Sequence, residues 1–383
     1  MGKKKDKHSR EDEKDLDATR RASRDDVDEK TAKKTEGKSG KKAEKKAHKK
    51  AEKKLEKQRE KAKKALANLV EAADPVDGAP ESVDEAVEQV LATNAHAVVA
   101  DVADSVASTF VGALRVGPDV RLADIDPSST PGFTGDRDDA EALMAAAAPE
   151  IAELQERLYA ESRDGEGRSV LLVVQGLDTA GKGGIMRHVV GLLDPQGVAI
   201  HAFKQPTAEE RRRPFLWRIR RALPEPGMIG VFDRSHYEDV LVARVDNLVP
   251  ASTWRRRYGQ IRTFENSLTA SGTTLVKVML HIGKEEQGER LAERLARPDK
   301  HWKFNPGDID TRRKWEAYEE AYDEALAKTS TDEAPWYVVP ANHKWYARLA
   351  VQQLLLDALR RLDPQWPAAT FDVEEQKARL ADS

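Results

Sequence analysis

Short apolar runs alternate with amphipathic segments through most of the chain after residue 116. The strand-like runs are Val170–Gln175, Val198–Phe203, Met228–Phe232, Thr274–Ile282 and Trp336–Val339. Apolar residues at helical spacing occupy Ala140–Tyr159, Gly183–Leu193, Thr207–Ala222, Ser235–Val245, Thr253–Ser267, Glu285–Leu295, Thr311–Lys328 and His343–Leu362. Helices that alternate with short apolar strands connect parallel strands. The pattern therefore predicts an α/β protein whose parallel sheet carries helices on both faces.

Composition divides the chain into four parts. The predicted parts are a basic low-complexity tail at 1–69, an Ala/Val-rich acidic region at 70–115, a folded domain at 116–368 and a C-terminal tail at 369–383. Residues 1–69 hold 26 Lys and Arg against 15 Asp and Glu, a net charge of +11 that leaves −14 for the rest of the chain. Because this basic tail has few large apolar residues, we expect it to be disordered, with transient helix over 41–69.

The basic tail leaves two functions open. A charge run of this kind keeps a protein soluble, and a positively charged arm also attracts a polyanion or an acidic surface. The tail has no aromatic residue, which argues against stacking on nucleic-acid bases. The neighbouring segment Val83–Leu114 is predicted to form one or two helices, which suits core packing or contact with a partner rather than chemistry.

Composition also excludes several functions. The chain contains no cysteine, so disulfides, thiolate metal sites and a cysteine nucleophile are excluded. No run approaches the roughly 18 apolar residues that a membrane span needs, and the first residues are charged rather than an apolar secretory segment. We therefore expect a cytoplasmic protein without a membrane partner.

The most informative motif follows the first apolar run. Gly176 is followed by four residues and then by Gly181 and Lys182, which is the spacing of a phosphate-binding loop between a strand and a helix. Glycines let successive backbone N–H groups face phosphate oxygens, and the helix start adds a partial positive charge. Gly183 stands where the usual Ser or Thr would hold magnesium, and we predict that Asp178 takes over that role.

A second candidate site follows the third apolar run, which ends in Asp233 and Arg234. A carboxylate at a strand end beside a phosphate loop is a suitable ligand for magnesium. We predict that Asp178 and Asp233 share the ion, directly or through water, and that Arg234 binds phosphate oxygens as a planar fork. The alternative is that Asp233 caps the next helix and Arg234 pairs with Glu238 or Asp239.

Basic residues are dense in several segments of the acidic body. Glu289–Phe304 follows a strand and a helix, as the lid of a nucleotide kinase does, and a helical lid with basic side chains would suit a long anionic substrate. The predicted catalytic residues are Asp178, Lys182, Asp233 and Arg234. The predicted phosphate or nucleotide contacts are Gly176, Thr179, Ala180, Gly181, Gly183, Gly184, Arg187, Lys204, Arg290, Arg294, Lys300 and Lys303.

Several ordered segments together resemble the polyphosphate kinase 2 family over about residues 113–368. The matching segments begin at Val116 (VGPDVRLADID), Gln175 (QGLDTAGKGG), Phe203 (FKQPTAEE), Phe215 (FLWR), Phe232 (FDRSHYEDV), Lys300 (KHWKF) and Ala334 (APWYVVP). So many matches in order are far more specific than the loop alone. The basic tail lies outside the resemblance.

The resemblance implies a P-loop kinase core similar to thymidylate kinases and reversible, magnesium-dependent phosphoryl transfer between inorganic polyphosphate and nucleotides. It implies that Asp178 and Lys182 belong to the Walker A motif and that Asp233 and Arg234 are the Walker B pair. Arg290 and Arg294 fall in the expected lid. The Ser-His-Tyr-Glu-Asp-Val form is similar to the branches that phosphorylate AMP, or both AMP and ADP.

Other functions remain open from the residues alone. One is an ATP-dependent kinase of a small molecule, and another is a non-catalytic protein that binds polyphosphate or nucleotide. The two carboxylates Asp178 and Asp233 argue against pure anion binding, which gains nothing from them. Nucleic-acid association through the basic tail is a third alternative. We also expect a homo-oligomer, with Val83–Leu114 as a candidate contact.

Overall fold

The computed structural model of the protein describes residues 107–165 and 167–383. The predictions for the basic tail and for residues 70–106 fall outside these residues. Residues 107–114 are helical, in agreement with the end of the predicted Val83–Leu114 helical segment. Phe110 and Leu114 of this segment are buried in the core of the domain.

Within the described residues, five strands form one sheet in which every strand pairing is parallel. The strands are β1 (Ser169–Gly176), β2 (Val198–Ala202), β3 (Ile229–Asp233), β4 (Thr273–His281) and β5 (Trp336–Pro340). Their order across the sheet is β2-β3-β1-β4-β5. The central strand β1 is buried from Ser169 to Gln175, which explains its nearly continuous apolar sequence. The predicted parallel α/β sheet is confirmed.

Ten α-helices precede, connect or follow the strands in the described part of the chain after residue 136. They are α1 (Arg137–Glu161), α2 (Lys182–His188), α3 (Trp217–Arg220), α4 (Val242–Val245), α5 (Ala251–Ala270), α6 (Lys284–Ala296), α7 (Gly307–Arg313), α8 (Trp315–Thr329), α9 (Lys344–Leu362) and α10 (Val373–Ala381). Helix α9 packs on β4, β5, α1 and α2, whereas α5 packs on β4 and α8. Among the described residues, no helix has the length and apolar character needed to cross a membrane.

Local sequence explains where α1 begins. The side chain of Asp136 accepts hydrogen bonds from the backbone N–H groups of Asp138 and Asp139, and the Asp139 side chain accepts one from the N–H of Asp136. This reciprocal capping satisfies donors that a helix start leaves open. Helix α1 then packs along α9, and the Glu150 carboxylate receives two hydrogen bonds of 2.6 Å from Arg360 of α9.

The predicted helix over Thr207–Ala222 is wrong. The structure has a short 3-10 turn at Glu210–Arg212 and the one-turn helix α3 instead. Pro214 explains the break, because proline lacks an N–H donor and disfavours helical backbone in the residue before it. Arg213 is accordingly extended, with φ −102° and ψ 161°. The chain between β2 and β3 is therefore an open loop that forms one wall of a cleft.

Three other predicted helices are interrupted near the ends of strands. The Gly183–Leu193 segment contains α2 followed by a 3-10 turn, and Ser235–Val245 contains a 3-10 turn at His236–Asp239 followed by α4. The Thr311–Lys328 segment is divided at Lys314, where the backbone leaves helical geometry between α7 and α8. Helical spacing of apolar residues is present in each segment, and in the last two segments the helix is interrupted at residues that line the cleft, Asp239 and Lys314.

Candidate active site

The phosphate-loop motif lies between β1 and α2, as its sequence predicts. Gly176 has φ +148° and Gly181 has φ +118°, conformations that side chains rarely adopt. A Cβ at Gly176 would lie 2.8 Å from the backbone oxygen of Leu280 in the adjacent strand. Thr179 also has a positive φ, +67°. The glycines therefore allow a curled backbone between a tightly packed strand end and the start of α2.

Lys182 folds back over this loop. Its Nζ donates hydrogen bonds to the backbone oxygens of Gly176 at 2.6 Å and Leu177 at 3.2 Å. Burial lowers the pKa of the Lys182 ammonium, and the charge of Asp178 opposes that shift. The ammonium is thus held inside the curl by backbone oxygens, where phosphate oxygens would be stronger partners.

The chain that follows β3 brings the second predicted pair to the same place. Arg234 Nη2 lies 2.8 Å from Asp178 Oδ1, and the Arg234 backbone N–H donates to the oxygen of Val174 in β1 at 3.1 Å. Arg234 has φ +62°, an uncommon conformation for a residue other than glycine. Ser235 begins the following turn and accepts a hydrogen bond from the N–H of Tyr237.

Carboxylates surround the two basic groups. Burial acts to lower the pKa of Arg234, but the charges of Glu238 and Asp178 outweigh it and the pKa is raised. Glu238 is itself held by Gln175 Nε2 at 3.0 Å from its Oε1. On the opposite wall, burial and the nearby charge of Asp178 raise the pKa of Asp308. The positive charges of Lys182 and Arg234 are therefore offset by carboxylates of the site. The phosphate oxygens of a ligand would interact with the same two positive charges.

Helix α6 supports the loop from outside. Gln287 donates to the backbone oxygen of Asp178 at 3.2 Å, and Arg290 Nη1 donates to that of Thr179 at 2.9 Å. Arg290 Nη2 also donates to the backbone oxygens of Ala341 at 2.7 Å and Asn342 at 2.8 Å. Its Nε lies 2.6 Å from Glu286 Oε1. The guanidinium of Arg290 is thus buried, and its N–H groups donate to protein oxygens. Arg290 therefore supports the loop and is not exposed for a contact with phosphate.

The two loops open into a cleft of about 910 Å³. Gly176, Asp178 and Arg234 line it together with Lys204. The cleft lies at the carboxyl ends of β1, β2 and β3, where ligands bind in parallel α/β sheets. Lys182 and Asp233 are electrostatic neighbours of this group. The structure therefore brings Asp178, Lys182, Asp233 and Arg234 together.

Other predicted contacts lie outside the cleft lining. Arg187 is exposed on α2. Arg294 donates to the backbone oxygen of Lys303 at 3.0 Å and pairs with Asp308 at 3.3 Å. Lys300 pairs with Asp299 at 3.4 Å, and the Nζ of Lys303 lies 5.0 Å from the ring centroid of Trp302. Arg294, Lys300 and Lys303 therefore contact other protein groups and do not line the cleft.

The sequence prediction missed a group of arginines and aromatic rings in the cleft. Arg218 and Arg257 both pair with Asp239, at 3.8 Å and 3.1 Å. Arg218 lies 5.4 Å from the ring centroid of Phe203, and Arg257 lies 4.9 Å from that of Phe215. All five residues line the cleft. Arg218 and Arg257 each belong to an arginine-rich stretch of the sequence, but no local spacing connects residues that are so far apart in the chain.

The space around Gly183 shows whether the loop has room for a ligand. A Cβ at Gly183 would meet no atom within 4 Å, and its φ is not among the positive values of the chain. Neither packing nor backbone geometry requires glycine there, although glycine costs a helix about 1 kcal/mol relative to alanine. The preceding residue, Lys182, has Asp178 and Asp233 as electrostatic neighbours, so the open space beside Gly183 leaves room for a phosphate and a hard cation with oxygen ligands. Among residues 107–165 and 167–383, no group of three or more His, Asp or Glu side chains forms a metal site by itself.

The fold and this site define a kinase-like α/β protein with a phosphate loop. Residues 134–367 match the family model for polyphosphate kinase 2. Because this match covers more than half of the chain, the protein belongs to the polyphosphate kinase 2 family. The basic tail and residues 70–133 lie outside the match.

Known proteins agree with this assignment. The chain is 46% identical over 255 residues to an AMP/ADP-polyphosphate phosphotransferase of Meiothermus ruber, covering 66% of this chain and 94% of the relative. It is 40% identical over 256 residues to an ADP-polyphosphate phosphotransferase of Rhodopseudomonas palustris, covering 64% and 87%. The crystal structure of polyphosphate kinase 2 from Arthrobacter aurescens is 56% identical with a TM-score of 0.69, covering 70% of this chain and 95% of that one.

Proposed function

We propose that this protein catalyses reversible, magnesium-dependent phosphoryl transfer between inorganic polyphosphate and a nucleotide, with AMP, ADP or both as acceptors. The observation that carries the proposal is the convergence of four charged residues, Asp178 and Arg234 in the lining of the cleft and Lys182 and Asp233 as their electrostatic neighbours. Relatives named as AMP/ADP- and ADP-polyphosphate phosphotransferases support the choice of substrates.

Positioning and charge neutralisation supply most of the catalysis. The terminal phosphate oxygen of the nucleotide attacks the end phosphate of the polyphosphate chain in line, and the shortened chain leaves. Lys182 and Arg234 stabilise negative charge on the transferring group. The attacking oxygen is already anionic, so a strong general base is not required. One phosphoanhydride bond forms as one breaks, which allows both directions.

Asp178 and Asp233 are the residues that would hold magnesium. Bound there, the ion would neutralise charge on the phosphate oxygens. Asp178 now accepts from Arg234 at 2.8 Å, so it links the cationic group to the ligand position. The open space at Gly183 leaves room for the ion and its water ligands, which a side chain at that position would reduce.

The cleft suits the acceptor nucleotide. Its volume of about 910 Å³ is at the upper end of small-molecule sites, and it combines the rings of Phe203 and Phe215 with Arg218 and Arg257. We assign the polyphosphate donor to the basic side of α6 and the segment after it, which carries Arg294, Lys300 and Lys303. The donor would exchange the internal ion pairs of this segment for pairs with phosphate.

Two further parts of the proposal rest on the sequence. The net charge of +11 in residues 1–69 favours contact with a polyanion, and polyphosphate is the polyanion that the site uses. We also propose a homo-oligomer in the cytoplasm. Light scattering coupled to size-exclusion chromatography at moderate salt measures the mass directly, and a single mass near that of one chain would contradict the oligomer.

The decisive experiment is nucleotide turnover by the purified chain with magnesium and polyphosphate but without ATP. AMP, ADP and GDP are supplied in separate reactions, and the products are separated by ion-exchange chromatography. Formation of ADP from AMP or of ATP from ADP establishes polyphosphate as the donor. Turnover only after addition of ATP and a different acceptor would replace the proposal with a small-molecule kinase, and binding without turnover would leave a non-catalytic phosphate-binding protein.

A further inference from the structure

A cluster of polar side chains lies inside the domain behind the loop that follows β3. We call it the buried polar cluster, and its members are at most 2% exposed. They are His236, Tyr237, Glu265, Lys277, Thr329 and Trp336. These residues come from the turn after β3, from α5, from β4, from the end of α8 and from β5. The cluster thus joins several elements of the fold at one point.

An ion pair forms the centre of the cluster. Lys277 Nζ lies 2.7 Å from Glu265 Oε2 and donates a further hydrogen bond to the backbone oxygen of Thr329 at 2.8 Å. Burial lowers the pKa of Lys277, and Glu265 opposes that shift. Burial alone would raise the pKa of Glu265, but Lys277 and then His236 outweigh it and the pKa is lowered. Glu265 is therefore a carboxylate that accepts hydrogen bonds and donates none.

The carboxylate is tied to the loop after β3 by two successive residues. His236 Nε2 lies 3.1 Å from Glu265 Oε1 and must donate to it, and Tyr237 Oη donates to the same oxygen at 2.8 Å. Tyr237 Oη also lies 3.0 Å from Thr329 Oγ1. Both residues follow Arg234 within three positions. The buried polar cluster thus holds the chain at the second and third residues after Arg234.

Arg234 needs such a fixed point because of its backbone conformation. A non-glycine residue at φ +62° is in a sparsely populated region of backbone conformation and persists there only when its surroundings impose it. On one side, its N–H is held by the backbone oxygen of Val174. On the other side, the chain enters the turn whose side chains are bound by Glu265. The conformation that directs Arg234 toward Asp178 is therefore fixed from both sides.

Stability alone does not explain a buried ion pair at this position. Desolvation of two charges offsets much of their attraction, and well-packed apolar side chains in place of such a pair are often neutral or stabilising. The Glu265–Lys277 pair is fully buried. What an apolar pair would lose is the acceptor that receives His236 and Tyr237. This makes control of the loop geometry, rather than stability, the specific consequence of the pair.

We propose that Glu265 and Lys277 are positioning residues for phosphoryl transfer, which act through His236 and Tyr237 on Arg234 and Asp233. This inference rests on the proposed function. Glu265 holds the two side chains, and Lys277 keeps Glu265 ionised and directed at them. Neither residue touches substrate. Their effect is to hold the Arg234 guanidinium where charge develops on the transferring phosphoryl group.

The test compares two double variants in the full chain, with polyphosphate, magnesium and the acceptor that wild type uses best. Variant E265L/K277M removes the ion pair and leaves no unpaired charge, whereas H236L/Y237F removes the two links from the loop side. We expect each to lower kcat about tenfold or more, because an interaction used in the transition state is weakened. KM for both substrates should stay within about twofold, since the groups that bind them remain.

Combining the four substitutions provides the sharper readout. If both pairs act through one connection, the quadruple variant should lose no more kcat than either double variant, which is non-additive behaviour between coupled residues. The control is E150L/R360M, which removes the partly exposed Glu150–Arg360 pair between α1 and α9, away from the loop after β3. It should change the melting temperature while leaving kcat within about twofold of wild type.

Each outcome separates this inference from the proposed function. A wild-type protein that shows no polyphosphate-dependent turnover contradicts the proposed function itself. An active wild type, with both double variants near wild-type kcat, overturns the positioning role and leaves the function intact. Additive losses, or a rise in KM at unchanged kcat, would also overturn it. If E265L/K277M does not fold, H236L/Y237F carries the same test, because it leaves the ion pair in place.

Discussion

The loop after β1 and the loop after β3 face each other across the site but are held by different means. The first is curled by glycine, with Gly176 and Gly181 at positive φ, and its backbone oxygens accept hydrogen bonds from the side chains of Lys182, Gln287 and Arg290. The second places a non-glycine residue, Arg234, at positive φ and relies on buried side chains behind it. The curl of the first loop is therefore specified by its own glycines and reinforced by α6, whereas the conformation of Arg234 has no glycine to allow it and depends on tertiary contacts.

This difference determines what each loop can do. Backbone N–H groups in a glycine-rich curl bind any phosphate, because they recognise charge and shape without a specific partner. The buried polar cluster holds the Arg234 guanidinium in one orientation. A fixed orientation allows its charge to stabilise the transition state more than the bound substrate. We therefore expect changes in the first loop to affect substrate binding as well as rate, and changes behind the second to affect rate alone.

The largest expected effect comes from the centre of the first loop. Lys182→Ala removes the ammonium that lies within the curl, and we expect polyphosphate-dependent turnover to fall about 10³-fold, as for loss of one preorganised transition-state donor. KM for the phosphate substrate should rise as well. Steady-state kinetics in both substrates would measure the two effects. Near-wild-type kcat/KM in this variant would contradict the assignment of the loop.

A matched control for this variant is Lys377→Ala. Lys377 is an exposed lysine of α10 whose Nζ lies 2.7 Å from Glu374, and exposed pairs of this kind contribute little to stability. Its removal takes away the same charge at a distance from the cleft. Both variants should unfold within about 1 kcal/mol of wild type in urea, so a loss of activity in Lys182→Ala alone would reflect the site.

Variants of Arg290 test whether this residue binds phosphate directly or supports the loop. The sequence placed Arg290 among the phosphate contacts, whereas the structure uses its fork on the backbone oxygens of Thr179, Ala341 and Asn342. Arg290→Lys keeps the charge but cannot reproduce the fork. We expect kcat/KM to fall about 10²-fold, together with a lower melting temperature, because buried carbonyls lose their donors.

The comparison variant at this position is Arg290→Met, which also removes the charge. If Arg290 supports the loop, the lysine and methionine variants should lose similar activity. If Arg290 instead binds polyphosphate directly, the lysine variant should keep most of its activity and the methionine variant should be much the weaker. Kinetics over a range of salt concentrations would separate these outcomes, because a direct phosphate contact adds to the salt dependence.

The contrast between the loops also explains what the sequence could reveal. Glycine spacing and Lys182 identify the first loop because its requirements lie within a few residues. The supports of the second loop are distant, since Tyr237 meets Glu265 across 28 positions and Thr329 across 92. His236 could be placed near the site by its position after Arg234, but its side chain points to the core. Only the folded chain shows that Lys277, which lies among the apolar residues of β4, is paired with Glu265.

Long-range geometry accounts for the other differences as well. The five strands and their parallel arrangement followed from apolar periodicity, because that pattern reflects burial on both sheet faces. The helix predicted over Thr207–Ala222 did not form, since Pro214 overrides the spacing of its neighbours. The pairing of Arg218 and Arg257 with one carboxylate, Asp239, has no local signal and required the structure.

The pH dependence of activity tests the environment of Lys182. Burial lowers its pKa below the usual 10.5, so the free enzyme should lose the proton, and with it phosphate affinity, before pH 10.5 is reached. Above that pKa, kcat/KM should fall about tenfold per pH unit. Lys182→Arg should be slower but should lack this alkaline decline, because arginine stays protonated. If kcat/KM of wild type and of Lys182→Arg declined identically at alkaline pH, a group other than Lys182 would be responsible for the decline.

The smallest expected effect concerns the space beside the first loop. Gly183→Ala adds a methyl group that meets no protein atom within 4 Å, so we expect stability to stay the same or rise by up to about 1 kcal/mol through helix propensity. Activity should nevertheless fall several-fold, because the methyl occupies room that we assign to phosphate and magnesium. Gly259→Ala in α5 is the matched control, since its Cβ also meets nothing within 4 Å and lies on an exposed helix surface. If both variants gain stability and only Gly183→Ala loses kcat/KM, with a higher magnesium requirement, the space at Gly183 serves the ligand; equal activity in both would show that the first loop tolerates a side chain there and binds through its backbone alone.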